Sequence, residues 1–287
     1  MNSANIAIRK GYKMITNKRI VLTGATMGIG YEVLKLLYKD TGNEIIAIAR
    51  NIDKLVGFAD NVIPFKCDVS SKEGVDSIFE EAERRFGTID IFYCNAGYSY
   101  YEEYNYADWD RIERLFKTNT LSLMYTYSKY IEHLNGRKGM LAYTLSAMGQ
   151  MAMPGYSVYT ASKFAMNGFQ QAIRLEKPEN LQLTCLYPVA TESNFFKSAS
   201  KIEFEKPFPM QQPDVVARKM VAGMEKGKDT VSPSFLFGLS KVLMGICPPI
   251  RTIYWNIEKA KFERFKAKVK EAEAEAEAKE ESISHGL

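Results

Sequence analysis

Tyr159 and Lys163 stand four positions apart in the segment Tyr159-Thr160-Ala161-Ser162-Lys163. On a helix this spacing puts both side chains on one face, where a phenol and an ammonium can share a site. A phenol with an ordinary pKa near ~10 is a poor base at neutral pH. Lowering it by ~3 units requires about 4 kcal/mol of preference for phenolate. One positive charge at ~4 Å, in an effective dielectric of ~20, supplies about that much. The sequence therefore predicts that Lys163 acidifies Tyr159, letting it exchange a proton with a carbonyl or hydroxyl oxygen. Taken alone, the pair could equally be two residues on a surface helix. Ser146 strengthens the chemical reading: it follows the apolar run Met140–Leu145, 13 residues before Tyr159. At a strand's carboxyl end its hydroxyl can hydrogen-bond a substrate oxygen as charge develops there, or simply cap the next turn.

A second constellation reads Thr23-Gly24-Ala25-Thr26-Met27-Gly28-Ile29-Gly30, directly after the apolar run Ile20–Thr23. Glycine permits a tight turn and a close backbone approach to a pyrophosphate. A helix opening there offers N–H groups and the positive end of its dipole. Glycines also make plain turns, but a strand before and a helix after are the context that phosphate binding needs.

These motifs need a scaffold, and the chain supplies one. Ile20–Thr23, Glu44–Ala49, Val62–Cys67, Ile89–Cys94, Met140–Leu145 and Leu181–Leu186 read as short strands, nearly all apolar. Such runs suit parallel strands covered on both faces. Helical patterns lie between them at Ile29–Lys39, Lys72–Phe86, Trp109–Leu134 and Tyr159–Leu175. The alternation predicts a single-domain α/β fold of the Rossmann type: a doubly wound parallel sheet with helices on both faces. Its ligands sit at the strands' carboxyl ends, where strand order reverses.

The spacing TGxxxGxG, with the YxxxK pair and the serine, resembles the short-chain dehydrogenase/reductase family, in its branch with domains of about 250 residues. The likeness runs over residues 18–232. It implies catalytic roles for Ser146, Tyr159, Lys163 and Asn119, the last as the asparagine that kinks a long helix and holds a water in the proton relay. It implies that Thr23, Gly24, Thr26, Met27, Gly28, Ile29 and Gly30 carry the cofactor's phosphates, and that Lys163 also reaches the nicotinamide ribose. Asn95-Ala96-Gly97 resembles the end of the family's NNAG, with Cys94 in place of the first asparagine. Asp68-Val69 resembles an adenine contact, although Asp68 could equally cap the following helix. Val189 and Thr191 match the family's PGxVxT, and Leu186-Tyr187 then stand where Pro-Gly is usual. A tyrosine in place of that glycine is expected to narrow the pocket or shift the nicotinamide. Hydride would pass between nicotinamide C4 and the substrate carbon.

NAD-preferring members end their second strand with an acid that binds the ribose hydroxyl. Here Ala49 and Arg50 occupy that place, and the first carboxylate is Asp53. Arg50 can pair with a 2′-phosphate, so NADP(H) is the preferred cofactor, with NAD(H) possible. Met148, Met151, Met153 and Pro154 precede Tyr159, and Phe195 and Phe196 follow Thr191. Thioethers adapt to irregular apolar ligands, although the same methionines could merely pack a lid. Met148, Met153 and Phe195, with Ser146 and Tyr159, point to a hydrophobic, lipid-like carbonyl or alcohol, in loose likeness to 3-ketodihydrosphingosine reductases. A non-catalytic NADP(H) sensor, or an epimerase or dehydratase of the same superfamily, is the alternative.

The remaining readings bound the context. With 38 Lys and Arg against 34 Asp and Glu, the net charge of +4 is too mild to argue for nucleic acid. Cys67, Cys94, Cys185 and Cys247 form no CxxC pair and read as reduced, core-packed thiols of a cytoplasmic protein. The two histidines, His133 and His285, exclude an HExxH zinc site, and no metal is expected. Residues 1–17 read as an N-terminal extension without an apolar signal core, 18–232 as the dinucleotide-binding domain and 233–287 as a charged helical extension. In that extension Trp255, Phe262, Phe265 and Val269 recur at helical spacing among Lys and Arg, a pattern fit for a membrane surface or for packing on the domain. The tract EAEAEAEA reads as a frayed, solvated helix. By resemblance, a homodimer or homotetramer forms through the two long helices.

Overall fold

The computed structural model describes residues 15–284. Most of the N-terminal extension and His285 lie outside them. A seven-stranded parallel sheet runs β3 (Val62–Lys66), β2 (Glu44–Ala49), β1 (Arg19–Thr23), β4 (Ile91–Cys94), β5 (Gly139–Thr144), β6 (Leu181–Leu186) and β9 (Thr230–Val231). Chain order reverses between the neighbours β1 and β4, which opens a crevice at their carboxyl ends. Burial explains the unbroken apolar runs, because β1, β2 and β4 are covered on both sides. Val21, Ile46, Phe92 and Tyr143 enter one core, and Ile20, Leu22, Ile45 and Tyr93 enter the other.

Helices α1 (Gly28–Leu37), α2 (Lys72–Phe86), α3 (Trp109–Phe116), α4 (Ser122–Leu134) and α5 (Ser157–Glu176) connect the strands. The single long helix expected over Trp109–Leu134 is divided by a π-helical turn at Lys117–Leu121. That turn contains Asn119 and marks the expected kink. Helix α7 (Pro213–Glu225) and β9 were not legible as elements. Proline opens α7 at its first turn, where its missing N–H costs nothing. The two residues of β9 are too few to show a period.

Between β6 and α7 lie β7 (Ala190–Thr191), α6 (Asn194–Ala199) and β8 (Met210–Gln211), with β7 and β8 paired in parallel. Helices α8 (Phe235–Ile246) and α9 (Pro248–Ser284) complete the chain. Phe262, Phe265 and Val269 of α9 pack into a third, aromatic cluster with Tyr101, Tyr156, Phe196 and Phe204. Those α9 residues therefore face the domain and are not available to a membrane. The EAEAEAEA tract continues α9 as exposed helix. Cys94 and Cys185 are buried, but Cys67 is half-buried and Cys247 exposed, so the core reading fails for Cys247. His133 holds Ile89 N–H through Nε2 at 2.9 Å and Glu83 through Nδ1 at 2.8 Å, which is structural work.

Two glycines allow a direct comparison. A Cβ on Gly30 would lie 2.3 Å from both Asn95 Nδ2 and Gly24 O, whereas one on Gly168, exposed within α5, would meet nothing within 4 Å. Urea denaturation is expected to show Gly30→Ala destabilising by about 1–3 kcal/mol through overpacking. Gly168→Ala should stabilise by about 1 kcal/mol through helix propensity.

Candidate active site

The turn after β1 is shaped by what it lies against. Gly24 and Gly28 adopt φ of +67° and +54°, the left-handed region that glycine accepts without strain. Helix α1 opens with no side-chain cap bond and no acid in its first turn, so its leading N–H groups suit an anion. Asn95 locks this turn to the sheet. Its Nδ2 donates to Thr23 O and Gly24 O, both at 3.2 Å, and its Oδ1 accepts from Thr144 Oγ1 at 2.9 Å. Thr23 Oγ1 in turn accepts from the N–H groups of Asn95 and Ala96, each at 3.0 Å. Thr23 and Gly30 are thus the frame of the turn and do not line the cavity beside it.

That cavity, about 820 Å³ in volume, lies at the strands' carboxyl ends, within the range of small-molecule sites. Gly24, Thr26, Met27, Gly28 and Ile29 line one end, with Arg50 just past β2. Asn95, Ala96 and Gly97 line its floor, Ser146, Tyr159 and Lys163 its middle, and Val189 and Thr191 the segment opposite. Met148, Met153 and Phe195 lead to the apolar end. Among the described residues no Asp or Glu lines it, and Arg50 and Lys163 are its charged groups. A glycine turn stripped of Cβ atoms, bare helix N–H groups and a cationic lining fit a phosphorylated dinucleotide.

Tyr159 and Lys163 lie one turn apart on α5 and are both buried, at 7% and 3% exposure. Lys163 Nζ stands 5.6 Å from the Tyr159 ring centroid and donates to Thr144 O at 3.2 Å. Ser146 caps the short turn Ala147–Gly149, accepting from Met148 N–H at 3.0 Å, and its hydroxyl is near enough to the Tyr159 phenol to favour the phenolate. The expectation of an acidified phenol is corrected here. Burial pushes Tyr159 up to about 12, offset only in part by Ser146, and lowers Lys163 to about 8. Desolvation disfavours both charged forms, and Lys163 is not among the groups that lower Tyr159.

Asn119 is fully buried, with its amide turned to the segment after β4. Nδ2 donates to Tyr98 O at 2.8 Å and Oδ1 accepts from Tyr98 N–H at 3.1 Å. Nδ2 also reaches Ser162 Oγ at 3.4 Å, which ties that segment to α5. Its side chain is a clamp behind the cavity and is not part of the lining. Asp68 and Val69 also stand outside the lining: Asp68 Oδ1 accepts from Ser70 N–H at 2.9 Å, while Val69 packs on the core. The helix cap there is Ser71.

The expected intrusion of Tyr187 does not occur. Leu186 and Tyr187 point to opposite faces of the extended chain and enter the two cores, and Tyr187 OH donates to Asn167 Oδ1 at 2.7 Å. Backbone from Pro188 onward lines the cavity instead. Ser193 was missed, although its serine type just past Thr191 was visible. It lines the cavity, caps α6, and would lie 3.3 Å from a Cβ on Gly28. The sequence also left α8 and the start of α9 out of the site. Leu236, Leu239, Leu243, Ile253 and Tyr254 form its far wall, and α9 is fixed there by Trp255 Nε1 donating to Ala152 O at 2.9 Å.

Comparison with known proteins agrees with this arrangement. An NADPH-dependent 1-acyldihydroxyacetone phosphate reductase of Saccharomyces cerevisiae is 28% identical over 280 residues, covering 87% of this chain and 91% of the relative. A 3-ketodihydrosphingosine reductase of Bos taurus is 27% identical over 250 residues, covering 80% and 75%. A short chain dehydrogenase of Burkholderia cenocepacia, solved with NADP, superposes with a TM-score of 0.70 at 19% identity, covering 83% of this chain and 96% of that one, a likeness of fold. The family profile described as short chain dehydrogenase matches residues 18–203, and the chain belongs to that family of oxidoreductases.

Proposed function

We propose that the protein is an NADP(H)-dependent reductase of a hydrophobic, lipid-like ketone, giving a secondary alcohol. The observation that carries this reading is the cluster of Ser146, Tyr159 and Lys163 midway along one cavity, between a cationic glycine-rich end and an apolar end. Bound NADPH would supply the hydride to the carbonyl carbon. Ser146 Oγ holds the carbonyl oxygen, and Tyr159 Oη delivers the proton that completes the alcohol. A phenol held near 12 carries its proton at neutral pH, and giving it to the developing alkoxide depends on stabilisation of the phenolate that remains. Lys163, held beside Gly97 by Thr144 O, is placed to stabilise the phenolate left behind and to hydrogen-bond the ribose. Asn119 keeps the floor of the site in register with α5.

Arg50, exposed at the end of β2 with no carboxylate in the lining, supports the 2′-phosphate as ligand. Methionine and phenylalanine side chains at the far end support an acyl or similar chain. The Saccharomyces and Bos relatives, reductases of an acyldihydroxyacetone phosphate and a ketodihydrosphingosine, favour the same class. Exposed Leu121 and Phe164, on the segments expected to pair copies, supply apolar surface for a homodimer or homotetramer.

Oxidation of NADPH across a panel of short and long-chain ketones tests the reading. Turnover should rise with chain length, and activity confined to small polar ketones would overturn the lipid assignment. Tyr159→Phe is expected to lower kcat by about 10²–10⁴ while cofactor binding persists. For reduction, kcat/KM should hold through neutral pH and fall as pH rises through about 8, where Lys163 loses its proton. Arg50→Ala should weaken NADPH about 10–100-fold, the loss of a charge-assisted contact, and leave NADH nearly unchanged by fluorescence titration.

A further inference from the structure

Helix α8 is apolar apart from Ser240 and Lys241, yet Phe237 is its one buried residue. Phe235, Val242 and Ile246 are 81%, 59% and 77% exposed. Leu236, Leu239 and Leu243 are exposed as well and also line the cavity. The apolar surface is therefore continuous with the substrate end, and the cavity's mouth opens within it.

Three observations select what covers this surface. First, a contiguous apolar patch of this kind marks an interaction site. Second, between Thr230 and Ile257 the charged side chains are Lys241 and Arg251, with no acid. Lys241 is held by Gln150 Oε1 at 2.6 Å, and Arg251 lies over the Trp255 ring at 5.0 Å. Cations beside apolar side chains and a tryptophan complement an anionic lipid surface. Third, a protein partner or a second copy seated here would seal the mouth, whereas lipid covers the patch and leaves acyl chains free to enter. No helix among the described residues is long and apolar enough to cross a membrane, so the contact is with one leaflet.

We propose that α8 and the first turns of α9 dock the protein on an anionic bilayer, with the cavity opening toward the lipid. The passage of substrate rests on the proposed function; the docking does not.

The test uses the full chain and flotation with phosphatidylcholine vesicles, with and without phosphatidylserine. The double variant Val242→Asp, Ile246→Asp changes exposed residues outside the cavity lining. Wild type should float, more strongly with phosphatidylserine and less at high salt. The variant should lose about ten-fold or more of its vesicle binding. Its circular dichroism and its turnover of a water-soluble ketone should be unchanged, while turnover of a vesicle-embedded ketone falls. Wild type that stays unbound, or a variant that floats equally well, would overturn the docking. So would a wild-type dimer that the variant dissociates without altering flotation. Loss of flotation in the variant, with neither protein reducing any ketone, would uphold the docking and refute the proposed reaction.

Discussion

The site depends on the contact between Asn95 and the glycine turn. Asn95 can bridge β1 and β5 only because position 30 carries no side chain; a single methyl there would stand 2.3 Å from the amide. The bridge fixes the ends of β1, β4 and β5 relative to one another, using the two Thr23 and Gly24 carbonyls and Thr144 Oγ1. Thr144 then offers its carbonyl to Lys163. The glycine turn and the Lys163 ammonium are thus tied to a common frame. Buried polar networks of this sort specify geometry as well as stability when their members are satisfied.

Burial sets the chemistry within that frame. Enclosing Tyr159 and Lys163 raises one pKa and lowers the other, so two groups that would titrate close together in water are driven apart, to about 12 and about 8. Neither charge is well solvated, so the phenol holds its proton more tightly than in water and the ammonium gives its proton up more readily. Tyr159 is thus held as a protonated phenol, and Lys163 as an ammonium that loses its proton more readily than a free lysine. The same desolvation strengthens any hydrogen bond that Ser146 makes to a developing oxyanion.

What was legible in the sequence follows from what is local. β1, its glycine turn and α1 form one continuous stretch, as do Ser146 and the Tyr159–Lys163 helix, so spacing alone located them. Strand existence was legible because double burial makes whole runs apolar, while ends moved by a residue or two. The π-turn at Lys117–Leu121 was foreseen only as a kink. Asp68 stayed ambiguous because an acid after a strand can serve its own turn as readily as a ligand, and here its Oδ1 accepts from Ser70 N–H. Tyr187 was misread because alternation along the chain sends it into the core, a matter of which face it takes and not of residue type. The amide partners of Asn119 could not be read from the neighbouring sequence, because Tyr98 and Ser162 lie 21 and 43 residues away.

The substrate end shows why such distance matters. The cofactor end is built from strand termini, whose positions the sheet fixes. The far wall comes from α8 and α9, which no strand positions. It is held instead by the aromatic cluster, where Tyr101 stacks on Phe204 at 4.0 Å and meets Phe265 at 4.7 Å. Arg264–Glu205 and Lys266–Glu103 add ion pairs at its margin, and exposed pairs of that kind contribute little. Apolar packing between a helix and two loops therefore determines the width of the substrate end. Chain length and shape of ligand can change through that packing without disturbing the Asn95 frame. With one end of the cavity made of near neighbours and the other of remote ones, the glycine turn and its frame can stay fixed while the apolar end varies.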